Sequence, residues 1–208
     1  MLNYFRKKIL DKLTKPYKIL RNKDFISNNF KELNLEYKNY GNKNPNKFFY
    51  VIRREPRGGF FSNLNFVLHN LLICDKLKMI PIIDMENYPT IYNCKKKING
   101  THNSWLYYFS AVSKFPLKEV YKSKNVVLCD NRTSGSKYFN GFQNLKKEHY
   151  KIFKRYVFVN KDILKSVRKY TDREFLNKRI LGVCFRGSDQ KISGYQPFPP
   201  TETQMLNA

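Results

Sequence analysis

Apolar positions along the chain follow two spacings. Residues 48–53 form an unbroken β-rich run, as a strand buried on both faces requires. Glu55-Pro-Arg-Gly-Gly59 then reads as a turn. Ser62 or Asn63 can cap a helix running to about Lys78, with Leu64, Val67, Leu68, Leu71 and Leu72 on its apolar face. Short apolar runs at 79–84, 126–130 and 179–185 predict three more strands. Helical spacing returns at 145–155 and at 161–176, where Ile163, Val167 and Tyr170 share a face. Strands interleaved with helices predict an α/β fold with a parallel sheet.

The chain ahead of this alternation is of a different kind. Residues 1–47 carry twelve Lys and Arg against four acids and form a basic helical segment. Leu2, Phe5, Ile9 and Leu13 keep helical spacing, with Arg6, Lys7, Lys8, Lys12 and Lys15 over much of the remainder, until Pro16 breaks the pattern. Two readings stay open for residues 1–20: a helix packed on the following domain, or one lying on an anionic membrane surface. Residues 41–47, rich in Asn with one Gly and one Pro, read as a linker.

Composition narrows the class. With 41% hydrophobic and 16% aromatic residues in 208, the chain has enough apolar surface to offset the entropy of folding. The best apolar run, 66–74, contains His69 and Asn70 and is too short to span a bilayer. The start lacks a secretory h-region, and Cys74, Cys94, Cys129 and Cys184 form no Cys-x-x-Cys pair, so a reducing cytoplasm fits. His69, His102 and His149 complete no zinc spacing, and no metal is expected. Asn99-Gly-Thr and Asn131-Arg-Thr match a glycosylation sequon that matters only in a secretory pathway. The charge of +24 fits nucleic acid, an anionic surface or a phosphorylated substrate, and equally a compositional bias. No nucleic-acid-binding motif accompanies it, so no specific nucleic-acid partner is expected.

Two places could carry chemistry, both where a strand of a parallel sheet ends. In Arg53-Arg-Glu-Pro-Arg-Gly-Gly-Phe-Phe-Ser-Asn63, Gly58 and Gly59 permit close backbone approach at the start of a helix, and Arg57 adds a cation. A phosphate or a sugar hydroxyl could rest there, and a simple tight turn is the plainer alternative. In Leu181-Gly-Val-Cys-Phe-Arg-Gly-Ser-Asp189, an apolar strand ends in Arg186, whose guanidinium suits bidentate phosphate pairing. Asp189 could orient it, bind a ligand hydroxyl or cap a helix; a surface ion pair is the alternative.

Taken together, Gly58-Gly-Phe-Phe-Ser-Asn63, Ile83-Asp-Met-Glu-Asn-Tyr-Pro-Thr90, Asn99-Gly-Thr-His-Asn-Ser-Trp-Leu-Tyr-Tyr-Phe109, Val183-Cys-Phe-Arg-Gly-Ser-Asp189 and Pro197-Phe-Pro-Pro-Thr201 resemble bacterial fucosyltransferase-like proteins. These belong to the superfamily of α1,6-fucosyltransferases, Nod-factor fucosyltransferases and protein O-fucosyltransferases. The resemblance runs from about Phe48 to the end of the chain. It implies a GT-B-type glycosyltransferase of two Rossmann-like domains, inverting and metal-independent, with GDP-fucose as donor substrate, no cofactor, and a cell-surface glycan as acceptor. It also implies domain limits: residues 48–177 as the N-terminal Rossmann-like domain and 178–208 as the start of a truncated donor-binding domain.

By match to the motifs, Arg186 would bind the donor β-phosphate and stabilise charge as GDP departs, a physically sensible role because glycosyl transfer builds negative charge there. Gly58, Gly59, Asn63 and Asp189 would complete the donor site. Asp84 and Glu86 would face the acceptor or assist its deprotonation. Cys184 stands where the signature has histidine, and Tyr195-Gln196 where relatives often have His. Only 19 residues follow Asp189, so the expectation is a truncated enzyme in the cytoplasm or peripheral on the inner membrane. A noncatalytic remnant or binding module of the same fold is the rival reading, and a basic nucleic-acid-binding protein a third.

Overall fold

The computed structural model describes residues 33–54, 58–130, 133, 142–182, 201 and 203–204. They fall into two units divided between Leu164 and Lys165. The basic helix expected around Leu2 to Leu13, and Pro16 after it, lie outside the described residues.

The first unit is a mixed α/β structure. In chain order its elements are β1 (Glu36–Lys38), β2 (Lys43–Ile52), α1 (Phe60–Lys76), β3 (Ile80–Ile83), α2 (Trp105–Tyr108), α3 (Leu117–Val120), β4 (Ser123–Leu128) and α4 (Phe142–Tyr156). A further helix, α5 (Lys161–Glu174), crosses the division. The four strands form one sheet in the order β1-β4-β2-β3. β2 pairs in parallel with both β3 and β4, placing Val51 opposite Ile82 on one side and Leu128 on the other.

Why β2 reads as an unbroken apolar run is visible in its surroundings. Tyr50 and Ile52, with Val127 and Ile83, pack into a core under α1 that takes in Val67, Leu71 and Trp105. Phe49 and Val51, with Val126 and Ile82, face a second cluster containing Val120 and Phe115. Alternate residues of one strand thus supply two cores, so no position in 49–52 can be polar. Burying each such side chain stabilises by about 1.5–3 kcal/mol. The hydroxyl of Tyr50 donates to Asn70 Oδ1 at 2.8 Å, a buried polar link that fixes α1 over the strand.

Several expectations need correction. The sheet is not wholly parallel: β1 joins β4 antiparallel, with Tyr37 opposite Val127. All three β1 residues are exposed, so no apolar alternation announces the strand; Tyr37 Oη donates to Asn125 Oδ1 at 2.8 Å, and the charges of Glu36 and Lys38 suit an open edge. Residues 43–47 are not a linker but the first half of β2. Asn44 Nδ2 donates to Glu119 Oε1 and Asn125 Nδ2 to Pro45 O, both at 2.8 Å, and an irregularity between Lys43 and Phe48 absorbs the proline.

Helix α1 begins before Ser62, capped by the backbone of Gly59 without a side-chain hydrogen bond. The Phe60 ring is drawn into an edge-to-face cluster with Tyr92 and Tyr108, at centroid distances of 5.9 and 5.1 Å, which adds the extra residues at this end. Of the strand expected at 179–185, residues 179–182 lie in no strand and Leu181 is 87% exposed, while 183–185 are outside the described residues. Within the second unit, Thr171 Oγ1 donates to the Val167 carbonyl at 2.9 Å and the Tyr170 and Phe175 rings meet edge-on.

α4 packs on α1 through His149 and His69, whose rings meet edge-to-face at 4.3 Å. Burial, and next the neighbouring imidazole, push the His149 pKa down from 6.5 to about 4. The unfolded chain therefore holds this proton between about pH 4 and 6.5 while the folded chain does not, so stability falls as pH falls through that window. The thermal midpoint is expected to drop on acidification from pH 7 to 4.5, and His149→Phe to flatten that part of the profile, as read by circular dichroism melts.

Candidate functional site

The strand order creates a switch point. From β2 the chain crosses to β3 on one side and later returns to β4 on the other, and the crevice beyond the carboxyl ends of such strands is where α/β sheets collect ligands. Arg53 occupies it. Its Nε donates to the Cys129 carbonyl at 2.8 Å, its Nη1 to Tyr88 Oη at 2.9 Å, and its Nη2 reaches Glu36 Oε2 at 3.2 Å. Burial works against the charge, but the Tyr88 hydrogen bond and Glu36 more than offset it and raise the guanidinium pKa. The Cys129 thiol beside it is bonded to the Arg53 backbone, and burial pushes its pKa up to about 12, which keeps it neutral and unreactive. Cys74 is likewise buried.

The loop from β2 to α1 holds three of the expected donor-site residues. Gly58 has φ +73°, and a Cβ there would stand 2.8 Å from Ser62 Oγ. At Gly59 the nearest atom to such a Cβ is Tyr92 Oη at 3.8 Å, so the backbone there lies open. The Asn63 N–H donates to the Gly59 carbonyl at 3.0 Å, closing the first turn of α1. Asn63 is only 5% exposed; its Nδ2 reaches the Gly58 carbonyl at 3.4 Å, while its buried Oδ1 has no hydrogen-bond partner among the described residues. Asn63 lines a cavity of about 20 Å³ with Phe60, Met85, Thr90, Ser104 and Trp105, room for one water or one hydroxyl group.

Asp84 is different. It is fully buried at the end of β3; Oδ1 accepts from the N–H groups of Glu86 and Asn87, and Oδ2 from Asn87 Nδ2 and, at 2.6 Å, from the Tyr121 hydroxyl. Burial, and then this hydrogen bond, raise the Tyr121 pKa. With four donors on two oxygens the carboxylate is structural: it shapes the turn after β3 and has no lone pair directed at an acceptor. Glu86 is exposed and borders a groove of about 470 Å³ with Ile82, Asn103, Trp105, Phe115 and Lys118. The conspicuous polar residues between 84 and 104 mostly serve the loop itself. Asn93 Oδ1 accepts from the Thr90 N–H at 2.7 Å, and Asn103 Nδ2 donates to the Ile83 carbonyl at 2.7 Å, covering the edge of β3.

Arg57, Arg186 and Asp189 lie outside the described residues, as do Cys184 and Tyr195-Gln196. The structure thus brings Gly58, Gly59 and Asn63 together and sets Asp84 and Glu86 at the end of β3. Sequence reasoning passed over Arg54, which turns from the strand end toward α1 and donates through Nη1 to the Ser62 carbonyl at 2.8 Å. Its position directly after a buried strand was the available signal. Comparison with known proteins found nothing similar: no family model, no curated protein and no solved structure matches the chain. Among the described residues no helix is long and apolar enough to cross a membrane, and no three His, Cys, Asp or Glu side chains gather to hold a metal ion.

Two measurements check this division of labour. Asp84→Ala removes the acceptor of four hydrogen bonds and is expected to cost about 2–4 kcal/mol in urea unfolding, whereas Glu86→Ala leaves the midpoint unchanged. Gly58→Ala is expected to cost about 1–2 kcal/mol, because an alanine is strained at that φ and its methyl meets Ser62.

Proposed function

We propose that the chain is part of an inverting glycosyltransferase of the fucosyltransferase-like kind, with GT-B-type Rossmann-like architecture, that takes GDP-fucose as donor and a cell-surface glycan as acceptor. The observation that carries the reading is Asn63: a buried amide oxygen without a donor among the described residues, near an open glycine backbone at the start of α1 and the carboxyl end of a parallel strand. An oxygen so placed accepts from a hydroxyl, and a sugar supplies hydroxyls. The first-turn N–H groups of α1 carry no side-chain cap and favour a negatively charged neighbour.

In this reading Gly58 and Gly59 admit the donor, Asn63 holds one of its hydroxyls, Arg186 neutralises the departing phosphate, and Asp189 orients that arginine. Glu86 takes the acceptor side; Asp84 supports the turn that carries it. The protein works in the cytoplasm, with residues 1–20 holding it to the anionic inner face of the membrane. One observation favours a second reading, a binding module of the same fold without turnover: the better-placed carboxylate, Asp84, is closed to an acceptor.

The test is titration of the full chain with GDP-fucose, GDP-mannose and GDP, followed by a transfer assay with a surface-glycan extract, with and without EDTA. Saturable GDP-fucose binding, transfer insensitive to EDTA, and a loss of about 10²–10³ in rate for Arg186→Ala with an unchanged melt are expected. Asn63→Leu, which offers no acceptor, should weaken GDP-fucose more than GDP. Binding without transfer supports the second reading; no binding of any GDP-sugar, with salt-sensitive binding of random DNA, overturns both.

A further inference from the structure

Arg53 and Arg54 leave the same strand end and meet opposite fates. Arg53 finds a carboxylate, Glu36, and a carbonyl. Arg54 finds only neutral partners among the described residues: the carbonyl of Ser62 at 2.8 Å, the Ser62 hydroxyl at 3.3 Å, and the face of the Phe66 ring at 4.9 Å. These contacts use one N–H on Nη1 and one on Nη2, leaving three of the five guanidinium donors. Burial lowers the Arg54 pKa, and among the described residues no acidic neighbour offsets that cost.

The guanidinium borders a pocket of about 240 Å³ lined by Arg54, Ser62, Asn65, Phe66, His69 and Thr133. Among these described residues every side chain except Phe66 carries a polar group, and none is an acid. His69 Nδ1 donates to the Asn65 carbonyl at 3.0 Å, which fixes the ring. Thr133 donates to the Asn34 carbonyl at 3.2 Å, anchoring the far wall from beyond β4. The pocket is lined by residues that follow β2 and β4 and by the first turns of α1, and it presents a positive charge held by a ring face and a helix turn.

We propose that this pocket binds an oxyanion, a phosphate or carboxylate group carried on a sugar-sized molecule, through the free donors of Arg54. A planar guanidinium with adjacent free N–H groups matches such a group in bidentate fashion, and the polar lining suits the hydroxyls of the attached ring. The pocket shares no lining residue with the Asn63 cavity, and the proposal stands without any glycosyl transfer.

Calorimetric titration of the full chain at low ionic strength with glucose 6-phosphate, glucuronate and glucose tests it. One of the two charged sugars is expected to bind saturably and glucose not; the tighter of the two identifies the group as phosphate or carboxylate. Arg54→Met keeps the stem over Phe66 and should weaken binding about tenfold or more. Asn65→Asp, at an exposed position, places a negative charge on the rim and should do the same with an unchanged melt. A double variant Lys95→Met, Lys96→Met, on a distant exposed loop, should bind as the parent does. If Arg54→Met and Asn65→Asp bind like the parent, or glucose binds as well as the charged sugars, the anions are attracted by overall charge alone and the proposal is overturned.

Discussion

Residues 49–52 of β2 are 0–1% exposed, and from this constraint much of the molecule follows. A strand buried on both faces must find a layer above, a layer below and a neighbour on each edge. α1 supplies one layer, α3 and the segment before it the other, and β3 and β4 the neighbours. Because β2 is central, the connection leaving its carboxyl end runs toward β3 on one side, while a separate connection leaves the carboxyl end of β4 on the other. That divergence opens a gap in the backbone where Arg53, Arg54 and the Gly58-Gly59 turn are placed. The position of a candidate site is thus set by packing demands a few residues upstream, before any ligand is considered.

Polar side chains do the work that regular structure does elsewhere. Between β3 and α3 the chain forms only one short helix, yet Asn and Thr side chains tie its backbone groups together. Asn103 covers the last carbonyl of β3, Asp84 gathers the turn that follows, and Asn93 also donates to the His102 carbonyl at 2.8 Å. Residues whose types suggest chemistry here satisfy the backbone. What distinguishes Asn63 from them is a buried oxygen that no donor among the described residues reaches.

The parts of the fold that were legible from sequence are those where burial dictates residue type. The runs at 48–53 and 79–84 were short and rich in β-forming apolar residues, and Val67, Leu68, Leu71 and Leu72 kept the spacing of one helix face. β1 and the first half of β2 were opaque because their stability comes from partners 75–92 residues away, through Asn44, Asn125 and edge pairing, rather than from their own pattern. Gly58 was legible as a site of special backbone, since its positive φ excludes most side chains. Arg54 was not, because nothing in a pair of adjacent arginines says which will meet a carboxylate. That outcome depends on Glu36, which reaches the strand end only through the antiparallel edge that the sequence conceals.

The same contrast bears on what the overall charge means. Forty cations face sixteen acids, so most cannot be paired, and the protein carries a positive field that draws anions toward its whole surface. Such a field raises encounter rates but chooses nothing: it is screened within about 8 Å at physiological ionic strength and falls equally on every lysine. Selection requires donors that do not move. Lys95 and Lys96 stand exposed on a loop and can follow any counterion. Arg54 is held by Phe66 beneath it and Ser62 beside it, so its remaining N–H groups point one way before a ligand arrives, and less entropy is lost when one does. Overall charge and local geometry therefore act in sequence, the first bringing anions near and the second deciding which of them stay.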